Sequence, residues 1–111
     1  MDRLVQYKLI FFVPIADAET VKESIFQTGA GQLGQYQRCS WQCKGVGQFL
    51  PGINAKPTIG NQLTLSTVEE FRVEILCDEQ TIVPAIQALK ASHPYEEPAF
   101  EVIKLEAFND C

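Results

Sequence analysis

Clusters of positive charge are missing from this chain. Nine lysines and arginines stand against fourteen acids, for a net charge of −5, and the basic residues are scattered singly from Arg3 to Lys104. Nucleic acid is held through its phosphates by a clustered basic surface, so it is not an expected partner. Long apolar runs are missing too. None approaches the roughly 20 residues that span a bilayer, so no membrane partner is expected. The opening MDRLVQYKLIFFVP carries an acid and lacks a small-residue cleavage site, which argues against a secretory signal. Cysteine is sparse, at Cys39, Cys43, Cys77 and Cys111. Without an export signal these are expected as reduced thiols, and the expected location is cytoplasmic. Histidine occurs once, as His93, which leaves any metal site or catalytic relay without a second imidazole.

What is present is a globular composition. The 111 residues are 46% hydrophobic and 21% charged, which suits one domain, 1–111, around a single core. VQYKLIFFVP reads as a buried strand ended by Pro14. DAETVKESIFQTG reads as a helix of about 11 residues, near the usual length. Asp17 is its expected N-cap, Val21, Ile25 and Thr28 recur at helical spacing, and Gly29 terminates it. YQRCSWQCKGVGQFLP alternates as a strand from Tyr36 onward, with Cys39, Trp41 and Cys43 on one side. Gly45 and Gly47 are expected to loosen or bulge it. QLTLSTVEEFRVEILCD resumes strand character, with Val73, Ile75 and Cys77 on one face and Arg72, Glu74 and Leu76 on the other. A second helix lies in DEQTIVPAIQALKASHP, with Asp78 as cap candidate and an apolar stripe at Ile82, Ile86 and Leu89. Pro84 moves its expected start toward Val83, because proline suits a first turn and breaks an interior. PAFEVIKLEAF closes as a strand. The order β-α-β-β-α-β implies an α+β, ferredoxin-like fold: a four-stranded antiparallel sheet with two helices on one face.

Gly29, Gly31 and Gly34 match the pattern G-x-G-x-x-G. A dinucleotide loop needs these glycines between a strand and a following helix, so that the pyrophosphate meets a helix N-terminus. Here they leave a helix and enter a strand, beside the negative end of the helix dipole. The ribose-binding acid due about 20 residues later is also absent from FLPGINAKPTIG. The glycines are therefore read as a helix stop followed by turns that need positive φ.

Taken together, GAGQLGQYQRCSWQCKGVGQFLPG, the later KPTIG and HPYEEPAFEVIKLE resemble the PII-like domain inserted in YqfO-type proteins of the Nif-three-like family, in a form that stands alone. The resemblance runs from Val5 to Leu105, and its last segment is also similar to a stretch of the CutA family. It implies a PII/CutA-like version of the ferredoxin-like fold and a homo-oligomer, trimer preferred over dimer. It also implies that the two-metal site carried on the flanking halves of YqfO-type proteins is not in this sequence.

Candidate chemistry is confined to few residues. His93 and Glu96, in SHPYEEP, could hold zinc or copper with a thiolate from Cys39, Cys43 or Cys77. The structural reading makes the same segment a connection stiffened by Pro94 and Pro98 and anchored by Tyr95. On that reading His93→Ala costs about 1 kcal/mol or less, and Tyr95→Ala about 3 kcal/mol. Cys39 and Cys43 on one regular strand would stand ~13 Å apart, too far for a disulfide. The acid pairs Glu69–Glu70 and Glu96–Glu97 are expected to be solvated or split between strand faces. Tyr36, Trp41 and Phe49 are expected at a subunit contact. The overall expectation is a non-catalytic, homo-oligomeric module without a cofactor, binding a partner or a small ligand. The ligand would lie in an inter-subunit cleft beside Gly29, Gly31 and Gly34 or beside HPYEEP. A divalent-metal-binding or metal-tolerance protein is the alternative, and a hydrolase using His93 and Glu96 comes third.

Overall fold

Alternation along the strands decides which side of the sheet is inside. The structure, a computed structural model, describes residues 4–107; Arg3 and Cys111 lie outside them. Strand β1 (Gln6–Pro14) leads through a short 3-10 turn (Ile15–Asp17) into helix α1 (Ala18–Phe26). Strands β2 (Trp41–Phe49) and β3 (Ser66–Asp78) follow, then helix α2 (Ile82–Ser92) and strand β4 (Phe100–Leu105). The sheet runs β2-β3-β1-β4, antiparallel throughout. Leu9, Phe11 and Val13 of β1 share a face with Val73, Ile75 and Cys77 of β3, because paired residues point the same way. That face meets Ala18, Val21 and Ile25 of α1 and Ile82, Ala85 and Leu89 of α2 in one buried cluster. Burying each large side chain there contributes roughly 1.5–3 kcal/mol. The expected α+β, ferredoxin-like architecture is the one observed.

Local details depart from the expectation where side-chain chemistry had to choose between neighbours. Asp17 stands at the start of α1 but makes no capping bond, because the 3-10 turn before it already gives it helical φ and ψ of −100° and −6°. The helix spans nine residues, and Thr28 lies beyond it, with its hydroxyl bonded to the carbonyl of Ile25 at 2.6 Å. Asp78 does not cap α2. Its Oδ1 accepts the N–H groups of Gln80 and Thr81 at 2.8 and 2.9 Å, a turn mimic that precedes the helix. Pro84 sits in the first turn of α2, where its missing N–H has no partner to lose.

Strand β2 begins at Trp41 rather than Tyr36. Tyr36 bridges back to Leu33 across a turn at 34–35, and residues 37–40 run irregularly into the strand, with Arg38 at a φ of 57°. Cys39 is thus off the strand, tied through its N–H to the carbonyl of Gly31 at 2.8 Å. No bulge forms at Gly45 and Gly47, since the ladder with β3 is continuous from Trp41↔Glu74 to Phe49↔Ser66. The outer face of the sheet is mixed, as Arg72, Glu74 and Leu76 at alternate positions of β3 imply. Ile10 is buried there and Phe12 half-buried. Glu74 draws in both Lys8 at 3.7 Å and Arg72 at 3.4 Å.

Candidate functional site

Two glycines at alternate positions of a strand leave one face of it bare. Gly45 and Gly47 lie on the outer face, opposite Glu70 and Val68 of β3. The Glu70 side chain fills the space this leaves, and a Cβ at Gly47 would overlap its Oε1. Glu70 is only 9% exposed, although it pairs with Pro14 at the last rung that β1 contributes. Glu69 next to it is exposed, so the acid pair divides between the faces, with one member buried.

The connection from α2 to β4 closes over this spot. His93 is 7% exposed. Its Nδ1 accepts the Tyr95 N–H at 3.1 Å, so Nε2 carries the proton and donates to the Phe12 carbonyl at 2.7 Å. Both ring nitrogens are engaged, and the imidazole pins the connection to the end of β1. Tyr95 stacks at a tilt beside His93, with ring centres 4.8 Å apart, and its hydroxyl donates to Glu70 Oε2 at 2.9 Å. Burial pushes the Tyr95 phenol well above its ordinary range, and the bond to Glu70 reinforces this. The β2–β3 connection supplies the remaining wall. Thr58 donates its hydroxyl to the Pro94 carbonyl at 2.6 Å, and the Lys56 N–H reaches Glu96 Oε1 at 3.2 Å. Between these parts lies a cavity of about 680 Å³, with Phe12, Gly45, Gly47 and Glu70 along the sheet and Phe49 and Tyr95 among its walls.

The sequence-derived candidates separate into distinct places. Tyr95 and Glu96 line the cavity, and His93 stands behind it. Gly29, Gly31 and Gly34 have φ of +95°, +85° and +57°, as a helix stop and turns require. They lie away from the cavity; Gly29 borders a smaller recess of about 320 Å³ with Phe26 and Arg38. Arg38 is paired with Glu23, whose carboxyl the guanidinium holds below its ordinary range. Tyr36 and Trp41 are exposed. The thiols proposed as companions for His93 and Glu96 are dispersed: Cys77 in the core, Cys43 exposed on the outer face, Cys39 in the turn before β2. Among the described residues no group of three or more His, Cys, Asp or Glu is placed to hold a metal ion. Glu70 and the Gly45–Gly47 pair belong to the site although the sequence suggested only a solvated or divided acid pair and a loosened strand. Their signal was present as two glycines at strand period opposite one member of an acid pair.

One buried and one half-buried proton give an alkaline limit. Burial raises the Cys77 thiol from 9.0 to about 11, and the Tyr95 phenol rises as well. A group whose folded value is raised stabilises fully below its unfolded value and loses that contribution as pH climbs through the folded one. The melting temperature is therefore expected to hold from about pH 7 to 9 and to fall above that, as Cys77 and then Tyr95 ionise. In Cys77→Ser the fall is expected to begin later, a difference that differential scanning calorimetry would register.

The sheet order and the two helices packed on one face give a PII/CutA-like form of the ferredoxin-like fold. Its likenesses say which proteins carry such a fold. The chain is 41% identical over 98 residues to the GTP cyclohydrolase 1 type 2 homolog of Mycobacterium tuberculosis, covering 88% of this chain and 26% of that protein. The homolog from Listeria monocytogenes is 39% identical over 100 residues, with 89% and 27% covered. The chain thus spans about a quarter of the length of these curated relatives. The structure of a Bacillus cereus protein related to NIF3 superposes with a TM-score of 0.82 at 31% identity, covering 96% of this chain and 27% of that one. The fold alone is shared with the periplasmic divalent cation tolerance protein CutA of Archaeoglobus fulgidus, at TM-score 0.67 and 14% identity over 95% and 88% of the two chains. It is shared as well with Bacillus subtilis GlnK in its ATP complex, at TM-score 0.60 and 11% identity over 92% and 84%. No family model matches the chain.

Proposed function

We propose that this chain is a cytoplasmic, single-domain, homo-oligomeric module that acts by binding, without catalysis, and that the cavity at Glu70 and Tyr95 is where it takes a small ligand. The observation that carries this reading is the cavity itself: concave, largely apolar, with a buried carboxylate held by one phenol. A hydrolase on His93 and Glu96 finds no support, because the imidazole is tied by both nitrogens to backbone. The same engagement removes the basis of a metal site there.

Assembly is supported by exposed apolar side chains. Val46, Leu50, Ile53, Leu63 and Leu65 stand out on β2 and on the connection that follows it, and Trp41 and Ile103 on the sheet. Large apolar side chains left exposed along β2 and the connection after it support coverage by another copy. The resemblance to PII and CutA proteins favours a trimer over a dimer. Light scattering at micromolar concentration is expected to give about three chain masses; a monomer would reject the assembly. Native mass spectrometry of freshly purified protein tests the ligand reading in the same sample, through a retained small molecule lost on denaturation.

A further inference from the structure

Resting on that reading of the cavity, we propose that its ligand is a small organic cation, an amine or guanidine with an apolar body, whose charged head is held by Glu70. A carboxylate removed from water is unfavourable unless it is paired and hydrogen-bonded. Glu70 is nine-tenths buried, yet among the described residues its only donor is the Tyr95 hydroxyl, on Oε2. Oε1 lies over Gly47, where the strand has no side chain; no described donor reaches it, and it stays open to the cavity, since among the described residues no fully enclosed side-chain oxygen lacks a partner. Two cations also border the cavity, but neither bonds Glu70. Arg72, on the same face, is drawn to Glu74 at 3.4 Å, and Lys44 pairs with Phe71, which places its side chain on the helix-facing side of the sheet. Glu96 and Glu97 stand exposed at the cavity, so the approach is acidic as well.

The remaining chemistry narrows the cation. A bare divalent ion needs six or more oxygen ligands, or several nitrogen or sulfur ones, and such a set is not assembled among the described residues. An ammonium or guanidinium head needs only one carboxylate edge, with hydrogen bonds strengthened by the opposite charges. Phe49, Leu50, Pro51 and Ile59 line the rest of the cavity, and a volume of about 680 Å³ leaves room for a carbon skeleton attached to that head. An anionic head placed at Oε1 would meet the Glu70 carboxylate, with Arg72 already drawn to Glu74.

The test is calorimetric titration of the full chain with hexylamine, hexanol and hexanoate, three probes with one apolar body and different heads. Hexylamine is expected to bind at least about tenfold more tightly than either other probe, and Glu70→Gln to abolish that preference. Amide shifts in the NMR spectrum of the unsubstituted protein are expected at Gly45, Gly47 and Tyr95, a readout that stands even if the variant folds poorly. Equal or tighter binding of hexanol or hexanoate, or an undiminished preference in folded Glu70→Gln, would overturn the cation inference while leaving the cavity a ligand site. Shifts confined to other parts of the chain, or no binding by any probe, would overturn both.

Discussion

Replacing His93 with alanine is expected to destabilise the protein by about 2–4 kcal/mol, measured as a fall in the urea midpoint at unchanged slope. The sequence alone suggested about 1 kcal/mol or less, on the assumption of one hydrogen bond at a loop. The ring is instead buried at 7% exposure and joins two backbone groups from opposite ends of the chain, the Phe12 carbonyl and the Tyr95 N–H. Alanine would leave both without their partner and open a void between β1 and the α2–β4 connection. Tyr95→Ala is expected to lose about 3 kcal/mol, because the half-buried ring goes and Glu70 loses its described donor. Added zinc is expected to leave the melting temperature of the unsubstituted protein unchanged. A zinc-dependent rise lost only in His93→Ala would restore the metal reading.

Gly31→Ala is the second large effect, at about 3 kcal/mol. Its φ of +85° is left-handed, which an alanine adopts only under strain. A Cβ there would lie 2.8 and 2.9 Å from the Phe26 ring and 3.1 Å from the Cys39 carbonyl. The residue also stitches the loop to the sheet, its N–H bonded to the Leu76 carbonyl and its carbonyl to the Cys39 N–H, each at 2.8 Å. Gly34→Ala makes a control at the same type of backbone position, since nothing lies within 4 Å of a Cβ there. Thermal melts of both variants should therefore separate strain alone from strain plus overlap, with Gly31→Ala the lower. Equal losses would place the whole cost in the backbone.

The fold was legible because its signals are periodic. Leu9, Phe11 and Val13 on one strand, and Val73, Ile75 and Cys77 on another, alternate cleanly enough to assign the buried face before any coordinates. Boundaries were less legible where two residues compete for one task. Asp17 and Asp78 both looked like helix caps, and neither side chain caps, because a 3-10 turn and a side-chain-mimicked turn satisfy the backbone first. The site was legible in its second half only. HPYEEP drew attention through its histidine, while the histidine's task depends on Phe12, 81 positions earlier. Glu70 stayed hidden because burial of one member of an acid pair depends on what faces it across the sheet. Here that is a pair of glycines.

The length of β3 has a mechanical consequence. Its 13 residues outrun β1, which ends at the rung Pro14↔Glu70. Ser66–Glu69 therefore have β2 as their strand partner, within a molecule 53 Å long and 22 Å across. A lone two-stranded ribbon is marginally stable, whereas four strands under two helices are not. The ribbon is instead braced from the side: Lys56 and Thr58 of the β2–β3 connection bond Glu96 and the Pro94 carbonyl, and Phe49 stands 6.4 Å from the Tyr95 ring. The overhang is thus a strut held at both ends, with the cavity as the gap it spans.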